Sequence, residues 1–132
     1  MPRNIFRGSA HAFAFDHLAR AQTLALIETG EDSSLHAIER SFVYMPLEHA
    51  EDLTMQDLSV EKFTALADTA EEPHVELLRG YVSYAVKHRE IVEKFGRFPH
   101  RNAILDRDSS PEESAFLAAG GPTFGQSTDA AG

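Results

Sequence analysis

The chain contains no cysteine and no tryptophan. Without thiols there is no disulfide framework and no thiolate chemistry, and a reducing cytoplasm is the expected compartment. No apolar run approaches the roughly 18 residues that a spanning helix needs, so no membrane partner is expected. Arg3 and Arg7 have no apolar signal core after them, and no secretory leader is read there. Basic residues are scarce: 12 Lys and Arg face 21 Asp and Glu, for a formal charge of −9. A molecule of that sign repels nucleic acid and anionic lipid. Also missing are a phosphate-cradling glycine loop, the His-Glu-x-x-His spacing of metalloproteases and a nucleophile elbow around any serine. No cofactor and no metal ligand is assigned. Finally, no useful stretch alternates polar and apolar residues, which leaves no strand to predict.

What remains is helical. The apolar fraction is 42% over 132 residues, enough for one domain with one core. A first helix is expected from Ala10 to Thr29, capped by Ser9 and ended by Gly30. Its stripe of Ala14, Leu18, Ala21 and Ala25 should lie against a neighbour. A second helix presents Leu35, Ile38, Phe42 and Met45, and Pro46 should break or kink it. Thr54-Met55-Gln56-Asp57 reads as the cap of a third helix that runs to about Asp68, with Val60, Phe63, Leu66 and Ala67 as its apolar stripe. The longest helix spans about His74 to Phe95, with Leu78, Tyr81, Ala85, Val92 and Phe95 inward. Tyr84 and His88 fall near the same stripe, and Gly80 could admit a close contact. Ser110-Pro111-Glu112-Glu113 starts a short last helix, with a cap, Pro at the first position and acids at the positive end. The expectation is all-α: antiparallel hairpins of four main helices plus a short C-terminal one, in a single domain over 1–119, with 120–132 a disordered tail.

Between the fourth and last helices lies Phe95-Gly96-Arg97-Phe98-Pro99-His100-Arg101-Asn102. Gly96 ends a helix and Pro99 stops it resuming, so this is a loop carrying recognition side chains. Pro2-Arg3-Asn4-Ile5-Phe6-Arg7 before Ser9 repeats its design, with Pro, Arg-Asn, apolar residues, Arg and a helix cap. Arg97, His100 and Arg101, joined by Arg3 and Arg7, make a cationic patch on an acidic chain. Arginine there can bind carboxylate or phosphate through two parallel hydrogen bonds, or brace the loops by pairing Glu51 or Asp52. His49-x-Glu51-Asp52 with His88 and His100 could serve acid–base or metal chemistry, but residues two apart on one turn diverge. The plainer reading makes His49 and His88 core histidines, with Glu51 and Asp52 pairing arginines or capping the next helix.

Several stretches together resemble a bacterial family, domain of unknown function 924. They are Pro2 to Gly8; Ala12-Phe13-Ala14 with Asp16; Phe42-Val43-Tyr44-Met45-Pro46-Leu47-Glu48-His49-Ala50-Glu51-Asp52; His88-Arg89-Glu90-Ile91-Val92; and Phe95 to Asn102. The resemblance implies a tetratricopeptide-like right-handed superhelix and carries no reaction with it. Family members usually bear a further tryptophan-rich N-terminal segment, so this chain resembles their C-terminal two-thirds, and its first helix would lack a packing partner. Two departures stand out: Ala50 where Ser is common, and Asp106 where Gly is common.

The expected function is a binding or interaction module. Its polar site would comprise His49, Glu51, Asp52, His88, Arg97, His100, Arg101, Asn102, Arg3 and Asn4, and would take an anionic small molecule or acidic peptide. A homodimer through the exposed face of the first helix is a further expectation. The alternatives are a metal-assisted hydrolase using the same histidines and carboxylates, and a helical scaffold without ligand.

Overall fold

Two glycines in the left-handed region bound the main helical layer. Gly30 (φ 76°) follows its first helix and Gly96 (φ 74°) closes its last, a conformation in which a side chain would be strained. The computed structural model describes residues 13–120. In order, these form α1 (Asp16–Thr29), a 3-10 turn at Glu31–Ser34, α2 (Ala37–Glu48), α3 (Leu53–Asp68), α4 (Val75–Phe95), a second 3-10 turn at Pro99–Arg101, and α5 (Pro111–Ala118). The fold is all-α, with no strand among the described residues. Arg3, Asn4, Arg7, the Ser9 cap, the start of the expected first helix and the tail past residue 120 lie outside them.

The chain divides into two compact units. Residues 16–96 hold α1 to α4; among the described residues, the other unit joins 13–15 to 97–120. In the first unit, successive helices pack as hairpins, α3 on α4 most extensively. The Phe63 and Tyr81 rings meet at 6.2 Å, and Asp57 accepts from Arg89. Those two contacts fix an antiparallel register that sets Gln56 at the level of His88 and Arg89. The core consists of Tyr44, Leu47, Phe63, Leu66, Ala67, Leu78 and Ala85, with Leu24 and Ile27 of α1 against its edge.

Local chemistry explains where the elements depart from the apolar patterns. On α2 the buried face is Ser41, Tyr44, Leu47 and Glu48, while Phe42 is 55% exposed. Polar side chains can turn inward here because each brings a partner. Ser41 Oγ donates to the Ile38 carbonyl, and Tyr44 donates its hydroxyl to Asp32 Oδ2 while accepting from Arg40. Pro46 does not break α2, which continues to Glu48. The carbonyl that loses its helical donor belongs to Phe42, on the exposed side of the helix. Asp52, rather than Thr54, caps α3: its carboxylate accepts from the Met55 N–H at 3.0 Å. Ala14, Leu18, Ala21 and Ala25 face solvent, and α1 instead turns Thr23 inward, its hydroxyl on the Val43 carbonyl at 2.6 Å. On α4, Tyr84 is 54% exposed although His88, one turn on, is buried. Gly80 approaches nothing closely.

Candidate functional site

Asn102 to Arg107 build the turn that carries the loop forward. The Arg107 N–H bonds to the Asn102 carbonyl at 2.7 Å, and the Asp106 N–H to the Ala103 carbonyl at 3.2 Å. This pair of bonds, with Asp106 left-handed at φ 56°, is a Schellman closure built on a residue other than glycine. Ser110 then caps α5 with Pro111 at its first position, and Glu113 reaches back to the Ser110 N–H at 2.9 Å.

Glu113 is also the hub of the loop. Arg97 meets its carboxylate through two N–H groups, at 2.9 and 2.8 Å, and gives a further hydrogen bond to the Asp108 carbonyl. Asn102 Nδ2 donates to Glu113 Oε2 and to Ser109 Oγ. Arg107 completes the set by donating to Asn102 Oδ1 and to the Phe98 carbonyl. The Arg97 guanidinium holds the Glu113 carboxyl down to about 2. The Ser110 and Asn102 hydrogen bonds act in the same sense, against a burial that pushes upward.

His100 and Arg101 are buried on the 3-10 turn. The Arg101 guanidinium lies over two phenylalanine rings, 4.4 Å from the Phe13 ring centre and 4.5 Å from that of Phe98. The His100 ring packs against Phe98 at 5.7 Å. This unit therefore brings Arg97, His100, Arg101 and Asn102 together.

His49, Glu51, Asp52 and His88 belong to the other unit. His49 closes α2 and Asp52 opens α3, with Glu51 half-buried between them. His88 Nδ1 lies 3.0 Å from Glu48 Oε1 and 2.7 Å from the Tyr84 carbonyl oxygen. Both neighbours are acceptors, so Nδ1 carries the hydrogen. Gln56 Nε2 donates to the carbonyls of Glu48 and Ala50, each at 2.7 Å. Sequence reasoning missed Glu48. The available signal was an acid in the last turn of α2, where the helix dipole disfavours it unless a donor such as His88 compensates. It also missed Glu113 as the partner of Arg97, reading it only as part of a helix start. Among the described residues, no three His, Asp or Glu side chains are grouped as metal ligands.

No curated protein matches this chain. A solved structure of a protein of unknown function from Agrobacterium tumefaciens is similar over 90% of the chain, with 41% identity and a TM-score of 0.77. The chain spans 61% of that protein's length. The model of a family described as bacterial protein of unknown function (DUF924) matches residues 1–121. With that match over nearly its whole length, the chain belongs to the DUF924 family of bacterial proteins.

Proposed function

We propose that the chain is a binding or interaction module that receives an anionic group at the loop after α4. The group would come from a small molecule or an acidic peptide. The observation that carries this reading is the stack of Phe13, Arg101 and Phe98. Two aromatic rings packed near a guanidinium restrict how that planar, five-donor fork can lie. Such a fork suits carboxylate or phosphate. In this reading Arg97 and Asn102 hold the loop through Glu113, and His100 supports Phe98. Asp52 serves as a cap and His88 as the partner of Glu48, both outside the binding group. A cytoplasmic location accords with the absence of cysteine, and no described helix is long and apolar enough to cross a membrane. Self-association through the exposed face of α1 belongs to the same reading.

The test is titration of the full chain with inorganic phosphate and with a glutamate-rich peptide, followed by calorimetry and by the loop's amide NMR shifts. Arg101→Ala should abolish saturable binding, and Arg101→Lys should weaken it, with helicity retained in both. No saturable binding by either probe, or equal binding by Arg101→Ala, would sink the proposal.

One observation favours a second reading, a helical scaffold without ligand. Glu113 already engages Arg97 and Asn102, much of the polar loop. Cooperative unfolding lost in Arg97→Ala, with no ligand found, would support it. A metal-assisted hydrolase finds no grouped ligand set among the described residues.

A further inference from the structure

We infer that the exposed face of α1 docks on the exposed face of α4 of a second copy of this chain. The inference rests on the self-association proposed above and names the surface that receives α1. On α1 the outward positions Leu18, Ala21, Ala25 and Glu28 recur at helical spacing, and Leu18 is 53% exposed. On α4 the outward positions Leu77, Gly80, Tyr84 and Lys87 recur at the same spacing, with Leu77 47% and Tyr84 54% exposed.

Laid side by side in parallel, the two faces complement each other in size and charge. Leu18 meets Leu77, Ala21 meets Gly80, the small Ala25 gives room to the Tyr84 ring, and Glu28 meets Lys87. Lys87 already leans over Tyr84, its ammonium 5.6 Å from the ring centre, so its charge sits beside the apolar line. Neither face matches itself as well. A parallel pair of α1 faces sets Glu28 against Glu28 and alanine against alanine, leaving gaps. A pair of α4 faces sets Lys87 against Lys87 when parallel and against Leu77 when reversed. An exposed Glu–Lys pair adds little energy, so the apolar contacts hold the copies while the charges select the register. The contact is head-to-tail: each copy offers one face and receives on the other.

Sedimentation velocity of the full chain over a concentration series tests this, with Leu18→Asp and Tyr84→Asp as variants. Both positions are more than half exposed, so the monomer should keep its helicity, which circular dichroism checks. The wild type should associate as concentration rises, and each variant alone should stay monomeric. An equimolar mixture of the two should form a one-to-one complex, because each supplies the intact face that the other lacks. If Leu18→Asp abolishes association while Tyr84→Asp does not, α1 pairs with itself. Self-association then survives and docking on α4 is overturned. A mixture that stays monomeric overturns docking as well, and a wild type monomeric at every concentration overturns both readings.

Discussion

Arg97 and Glu113, sixteen residues apart, meet through two parallel N–H to oxygen bonds, and Glu113 also accepts from Ser110 and Asn102. One buried carboxylate thereby closes the loop, caps α5 and orders Asn102. Its charge is what the arrangement requires, and acid should undo it.

The folded carboxyl titrates near 2 against an ordinary 4.5. A depressed carboxyl contributes stability above its unfolded value and loses it as pH falls through the folded one. Unfolding free energy should therefore drop by about 2–3 kcal/mol between roughly pH 5 and pH 2 from this group. Denaturant midpoints across that range should show a shallower fall in Glu113→Gln than in the wild type, and the mutant should be the less stable of the two at neutral pH.

Tyr44 is the largest fully buried side chain among the described residues, and its hydroxyl links Asp32 to Arg40. Tyr44→Phe keeps the packing against Phe63 but takes a donor from a buried carboxylate. The expected loss is about 1–3 kcal/mol. Urea denaturation should show a lower midpoint with an unchanged slope. Burial, first, and the Asp32 hydrogen bond hold the phenol above its usual range, so the Tyr44 share of the phenolate absorbance, read as the difference between wild type and Tyr44→Phe, should emerge at higher pH than that of a free phenol.

Asp106 occupies the left-handed position of a Schellman turn, where glycine meets no side-chain strain. Asp106→Gly should raise stability by about 0.5–1 kcal/mol. Asp106→Val, branched at Cβ, should lower it by more than that. Thermal unfolding of the pair against the wild type decides the point, and a glycine variant less stable than the aspartate would contradict it.

Gln56→Leu should cost about 2 kcal/mol or more, since the Glu48 and Ala50 carbonyls lose their donor inside the fold. Gln56→Glu should cost at least as much, because a carboxylate there faces carbonyl oxygens. Chemical denaturation of both variants measures this.

The parts legible in the sequence are those whose chemistry is local. Ser110, Pro111 and Glu113 announce α5 within one turn, and Gly30 and Gly96 mark helix ends because only their backbone geometry is needed. Phe63, Leu66 and Ala67 were readable on α3 because apolar side chains follow the helical period. The face of α2 was not. Tyr44 and Glu48 look like surface residues until their partners Asp32 and His88 are brought near by folding. The same holds for the loop. Arg97, Asn102 and Arg101 were visible as recognition side chains, but Glu113 as their hub and Phe13 as half of the arginine stack depend on segments distant in the chain. Pro46 was read as a break or a kink, and the break does not occur: α2 runs through it to Glu48, the lost donor being that of the carbonyl of the exposed Phe42.

The grip of Gln56 on the link between α2 and α3 bears on how the chain reaches this structure. The side chain and the two carbonyls it holds lie at most eight residues apart. Closing so short a loop costs little chain entropy and needs no distant segment. The α2–α3 corner can therefore set as soon as the first turn of α3 forms, giving α4 a prepared surface on which to align.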